Sequence, residues 1–125
     1  MKDKKTVQSY RDLLIWQKGI ELVTHVYRVT EKLPRSETFA LTSQVRKAAI
    51  SVPSNIAEGH ARQHSREFRQ FLYIALGSLA ELDTQLTIAL KLAYVSESDL
   101  DSVHANIVEL RRMISGLVSK LPPDP

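Results

Sequence analysis

The sequence predicts an all-α protein, an antiparallel up-down-up-down four-helix bundle. Three observations carry this reading. Apolar residues recur at alternating three- and four-residue intervals through four separate stretches, the period of one face of an α-helix. Glycine and proline, which punctuate loop-rich and β-rich folds, number only four and five in 125 residues, and three of the prolines fall in the last four positions. The links between the four stretches are a few residues long, and links that short make successive helices antiparallel neighbours.

Residues 1–9 read as a flexible, Lys-rich tail, residues 10–121 as one bundle domain, and residues 122–125 as a short C-terminal tail. The first helix, expected over 10–33, has two apolar rows: Leu13, Trp16, Ile20, Val23, Tyr27 and Leu22, Val26, Val29, Leu33. Pro34 stops it, because a proline disfavours helical geometry in the residue before it. Ser36 is the expected cap of a second helix over 37–59, whose row is Leu41, Val45, Ala48, Val52 and Ile56. Pro53 interrupts that row, yet the row resumes after it. The helix is therefore expected to run through the proline with a kink, Ser54 and Asn55 repairing the carbonyl freed at Ala49. Gly59 is the expected stop, as a left-handed C-terminal residue. Ser65 opens the third helix, 65–94, with the unbroken seam Phe68, Leu72, Ala75, Leu79, Leu82, Leu86, Ala89, Ala93. Ser96-Glu97-Ser98-Asp99 resembles a capping box and opens the fourth, 97–120, with the seam Leu100, Val103, Ile107, Leu110, Ile114, Leu117, Leu121. The third helix also carries a surplus row, Phe71, Ile74, Ile88 and Leu92, that faces either a second neighbour in the bundle or another copy of the chain.

Composition excludes several chemistries. With no cysteine there is no disulfide, thiolate metal site or Cys nucleophile. There is no Gly-rich phosphate loop, no G-x-S-x-G, and no paired Glu-x-x-His set of the di-iron bundles. His60 and His64 are four apart, but no acidic ligand follows at helical spacing, so they read as solvated loop histidines; no metal or cofactor is expected. His25 reads as a boundary residue and His104 as exposed. Ser51 and Ser54 have no base three or four residues away. No apolar run spans a bilayer and the N-terminus lacks an apolar h-region, so the expected setting is the cytoplasm, without a membrane.

Charge is uneven. Residues 1–69 hold 13 Lys and Arg against 7 Asp and Glu, a balance of +6, while residues 70–125 hold 4 against 7, a balance of −3. A basic half attracts polyanions. The candidate nucleic-acid contacts are Arg46 and Lys47 on the second helix, Arg62, Arg66 and Arg69 at 4,3 spacing across the next turn, and Arg11 and Lys18 on the first helix. Arg forks grip phosphate bidentately. Few aromatics are free to stack, which points to backbone contact and not base reading. The competing reading is a surface of Arg–Glu pairs, such as Arg66 with Glu58 or Glu67. The polar residues Ser54, Asn55 and Glu58 beside Pro53 read first as kink repair and helix pairing, and second as a polar binding patch.

Tyr10-Arg11-Asp12-Leu13 with Trp16-Gln17-Lys18, Leu41-Thr42-Ser43-Gln44 with Arg46, Ser51-Val52-Pro53-Ser54-Asn55-Ile56-Ala57-Glu58-Gly59, Glu67-Phe68, Phe71-Leu72 and the stretch from Ala75 to Leu82 with Gln85 resemble the 23S rRNA intervening-sequence protein family. The resemblance covers residues 10–121 and makes Pro53, Ser54, Asn55, Glu58 and Gly59 part of a family signature. It implies a bacterial four-helix bundle that closes into a ring of subunits, commonly a pentamer, with no established enzyme activity. A more distant similarity runs to the accessory variability determinant of diversity-generating retroelements, a basic pentameric bundle that binds nucleic acid and reverse transcriptase. The expected function is therefore a non-enzymatic homo-oligomer binding RNA or DNA through its basic surface, or alternatively a module whose partner is another protein.

Overall fold

The computed structural model of the protein describes residues 9–123, so the expected tails lie outside it except for Ser9 and residues 122–123. Four helices account for most of the chain: α1 (Leu14–Thr30), α2 (Leu41–Ala61), α3 (Ser65–Lys91) and α4 (Glu97–Lys120), with no strand among the described residues. Each helix touches the next in sequence and α1 touches α4, while the diagonal pairs do not meet. Residue pairing makes every contact antiparallel. Gly19 meets Pro53 while Thr30 meets Arg46; Ser51 meets Ser78 while Gly59 meets Phe71; His25 meets Asn106 while Lys32 meets Asp99; Asp83 meets His104 while Arg69 meets Leu121. The up-down-up-down bundle expected from the seams is the observed one.

The seams of α3 and α4 are buried from Leu72 to Ala89 and from Leu100 to Ile114. Through α1 and the turn after it the buried row is Ile15, Gly19, Leu22, Val26, Val29 and Leu33, at strict 4,3,4,3,4 spacing. Gly19 hides this row in the sequence because it is not apolar. Its missing side chain admits Pro53: a Cβ there would stand 3.1 Å from the proline Cβ. The other expected row lies at the edge, with Ile20 and Tyr27 exposed.

α2 runs unbroken from Leu41 through Pro53 to Ala61. Asn55 does not serve the carbonyl that Pro53 frees at Ala49. Its Nδ2 donates to the Ser51 carbonyl at 2.7 Å and to Ser51 Oγ at 2.8 Å. The Ser51 hydroxyl, accepting from Asn55, also shares a hydrogen bond with Ser78 Oγ at 2.7 Å, tying α2 to α3. Ser54 is exposed.

Several ends differ from expectation. Gly59 is a buried seam residue and not a stop, since a Cβ would lie 2.6 Å from Phe71 Cβ. The left-handed residue after α2 is Gln63, at φ 65°. Ser36 does not cap α2. Residues Arg35–Glu37 form a 3-10 turn after Pro34, and Glu37 reaches forward from it, Oε1 accepting from the Leu41 N–H (3.3 Å) and Oε2 from the Tyr94 hydroxyl (2.9 Å). α1 likewise starts late, because Ser9 and Asp12 close a capping box around the 3-10 turn Tyr10–Asp12. His64, in extended geometry, precedes α3, and Ser65 is its first residue. α3 ends at Lys91, and Ala93, assigned to the seam by spacing, is exposed in left-handed geometry at φ 62°. Ser96 and Asp99 form the expected capping box at α4.

Two measurements test this account. Gly59→Ala gains about 1 kcal/mol of helix propensity but forces Phe71 to move, and overpacking of that kind costs about 1–3 kcal/mol, so the variant should melt lower than wild type. Gly116→Ala, where a Cβ meets nothing within 4 Å, should melt higher. The Asp99 carboxyl is held at about 2, below its ordinary 3.8, by its bond from Lys32 first and by the backbone and hydroxyl of Ser96 next. A lowered folded value contributes stability above the unfolded value and loses it as pH falls from about 4 to about 2. Across that window the melting temperature of wild type should drop more than that of Asp99→Asn.

Candidate functional site

The seven basic residues singled out by the sequence do not form one patch. Arg11, Arg62, Arg66 and Arg69 lie at the end of the bundle where α2 turns into α3, and Arg46 and Lys47 lie sixteen and fifteen positions before Arg62, roughly 24 Å along a helix that rises ~1.5 Å per residue. The 4,3 spacing of Arg62, Arg66 and Arg69 does not make one helical ridge, because the left-handed Gln63 separates Arg62, the C-cap of α2, from the other two on α3.

Most of these side chains also have a place inside the fold. Arg11 lies over the rings of Tyr10 and Trp16, 5.9 and 5.4 Å from their centroids. Arg46 sits 4.3 Å above the Tyr27 ring, and its Nε donates to Thr30 Oγ1 at 2.9 Å. Arg62 covers Phe71 and pairs with Glu58 at 3.5 Å and Glu67 at 3.8 Å. Arg69 reaches across to α4 and donates to the carbonyls of Leu121 and Pro122 at 3.1 and 2.9 Å. It thereby satisfies acceptors that a helix C-terminus leaves open. Lys18 pairs with Glu109 at 3.1 Å. Lys47 is exposed on α2. A guanidinium laid on a ring or a carbonyl keeps its charge, so Arg11, Arg46 and Arg69 still contribute to the field, whereas Lys18 and Arg62 are offset by carboxylates.

A cleft of about 560 Å³ opens at the Arg-rich end, lined by Gln63, His64, Ser65, Arg66, Glu67 and Pro122–Pro123. His60 lies edge-on to Phe68, and no cluster of three metal-ligating side chains occurs among the described residues. No described helix is long and apolar enough to cross a membrane.

Sequence reasoning missed a second polar centre, on the seam between α1 and α4. His25, Arg28 and Lys32 follow one another at 3,4 spacing, the first two on one face of α1 and Lys32 in the turn that continues it. That spacing was the available signal, obscured by the apolar residues threaded between them. Opposite stand Asn106, Ser102 and Asp99 of α4. His25 Nδ1 meets Asn106 Oδ1 at 2.5 Å, and Lys32 Nζ donates to Asp99 Oδ1.

Comparison with known proteins bears on the whole of this scaffold. No curated protein matches the chain. A protein of unknown function from the S23 ribosomal protein family of Bacteroides thetaiotaomicron VPI-5482 shares the fold, at a TM-score of 0.78 and 18% identity, over 86% of this chain and 100% of that one. The model of the 23S rRNA-intervening sequence protein family matches residues 11–116, from the Arg11 turn through the Pro53 segment to the last turns of α4, and the chain belongs to that family.

Proposed function

We propose that the protein is a non-enzymatic homo-oligomer, a ring of bundles that binds nucleic acid through its basic surface. The observation that carries the assembly is the surplus row of α3. Phe71 is half-buried, but Ile74, Ile88 and Leu92 are 50%, 44% and 51% exposed. These residues fall on a second heptad row, Phe71, Ile74, Ser78, Glu81, Gln85, Ile88 and Leu92, that runs beside the α2 contact. Within it Gln85 Oε1 is buried without a hydrogen-bond partner among the described residues. Exposed apolar residues at both ends of such a row, flanking Ser78, Glu81 and Gln85, make a site for another protein surface, and a second copy of the chain is always at hand. The number five rests on the family resemblance.

Support for nucleic acid comes from charge. The basic half supplies +6 per subunit, and the guanidiniums held on rings and carbonyls are fixed in place without being neutralised. A ring repeats them once per subunit, so weak contacts on one polyanion add. The name of the family associates its genes with 23S rRNA. The exposed apolar row also favours a second reading, a module that docks another protein and leaves nucleic acid alone.

Light scattering separates the possibilities for assembly: wild type should elute at a multiple of 14.1 kDa, and Ile74→Glu/Ile88→Glu at 14.1 kDa with its helical circular dichroism intact. A monomeric wild type overturns the ring. Labelled RNA or DNA should be retained at ~50 mM salt and lost steeply as salt rises, and Lys47→Ala with Arg66→Ala should flatten the slope by about one unit per contact removed. No retention by wild type at low salt overturns the nucleic-acid reading in favour of the protein-docking one.

A further inference from the structure

We propose that the groove between α1 and α4 around His25 is a phosphate-binding site. The groove has a volume of about 260 Å³ and is lined by His25, Arg28, Val29, Lys32, Asp99, Ser102 and Val103. That is below the size range of pockets that enclose whole drug-sized ligands, and it suits a small anionic group.

Its chemistry is cationic and mostly settled before any ligand arrives. Arg28 is exposed and makes no ion pair among the described residues. Asp99 is the one acid in the groove, and both its oxygens are occupied: Oδ1 accepts from Lys32 Nζ and Oδ2 from the Ser96 N–H at 2.8 Å. Its charge is therefore balanced by Lys32, which keeps two further ammonium protons for another acceptor. What remains unbalanced is the Arg28 fork, whose geometry matches two oxygens of a phosphate. The Ser102 hydroxyl stands on the opposite wall.

His25 supplies the orienting element. An amide oxygen only accepts, so the contact with Asn106 Oδ1 places the ring proton on Nδ1 and leaves Nε2 as the atom available to a ligand. Neutral, Nε2 accepts the proton of a P–OH group; protonated, it donates to a phosphate oxygen. Asn106 itself is only 7% exposed, on the face of α4 that carries Val103, Ile107 and Leu110. An amide buried among aliphatic side chains is costly unless paired, and here its pairing fixes the orientation of one imidazole at the wall of a groove. Asn106 is thus a positioning residue, and His25, Arg28, Lys32 and Ser102 are the groups that touch phosphate.

The site does not depend on the nucleic-acid reading, since a free phosphate and a backbone phosphate present the same oxygens. The test uses the full chain, with the His25 ring nitrogens followed by long-range ¹H–¹⁵N NMR at fixed pH and ionic strength. Inorganic phosphate should shift the Nε2 resonance saturably, with a millimolar Kd, while chloride at matched ionic strength should not. Arg28→Ala should abolish the shift. Asn106→Leu, which keeps the core filled, should weaken phosphate by about tenfold or more, the worth of one hydrogen bond to a charged group. No shift with phosphate, or an equal shift with chloride, overturns the proposal. Undiminished binding by Arg28→Ala does so too, and undiminished binding by Asn106→Leu overturns its positioning role. A short RNA that also shifts Nε2 identifies backbone phosphate as a ligand; inorganic phosphate acting alone assigns the groove to a free phosphate. Failure of RNA retention leaves the phosphate shift intact, so the two readings fall separately.

Discussion

The close approach of α2 to both of its neighbours governs this bundle. At one point Gly19 of α1 leaves room for the ring of Pro53, and at another Gly59 of α2 leaves room for the Cβ of Phe71. In both places a missing side chain lets one backbone come near a bulky group on the next helix, so the position of α2 sets those of α1 and α3. Pro53 gives up one backbone hydrogen bond, and its buried ring becomes the surface against which α1 rests. The fourth helix adds polar ties to its buried seam from Leu100 to Ile114. It meets α1 through Lys18–Glu109, His25–Asn106 and Lys32–Asp99, and it meets α3 through Asp83–His104 and the Arg69 clamp. All four helices share one buried apolar core, and polar contacts beside that core tie α4 to both of its neighbours.

The arginines show how charge and packing share the surface of this core. Arg11 and Arg46 sit over aromatic rings and cover apolar surface with their stems while keeping their charge. A basic surface built this way is rigid, because each guanidinium has a fixed seat, and a rigid cation loses less freedom when it meets a phosphate than a waving lysine does. Packing and polyanion attraction are compatible uses of the same side chain.

The architecture was legible in the sequence because leucine and alanine mark the buried seam of α3, and leucine, isoleucine and valine that of α4, at helical spacing. It was less legible where burial fell on residues that are not apolar. Gly19 and Gly59 belong to their seams by spacing, yet glycine reads as a breaker until a partner such as Pro53 or Phe71 is known. Ala93 reads as a seam residue until its left-handed backbone is seen, a conformation spacing cannot reveal. Ser36 has the chemistry of a cap, but Glu37 performs the work from one turn away because Tyr94, 57 positions on in the sequence, holds its other oxygen. The basic residues were legible as charge and illegible as geometry: nothing local says that Arg69 ends against the carbonyls of Leu121 and Pro122. His25, Arg28 and Lys32 carried a readable 3,4 spacing, and only the buried Asn106 across the seam turns that spacing into a centre.

The Ser51–Asn55–Ser78 chain has a mechanical consequence. Two helices packed by aliphatic side chains alone can slip by a turn and find another comfortable register, a movement many helical proteins use to carry a signal. Here a slip of α3 along α2 would strand the Ser78 hydroxyl against apolar neighbours and leave Ser51 and Asn55 facing the wrong turn. Sliding is therefore barred on the α2–α3 side, where one hydroxyl–amide pin fixes the register that aliphatic packing alone would leave open.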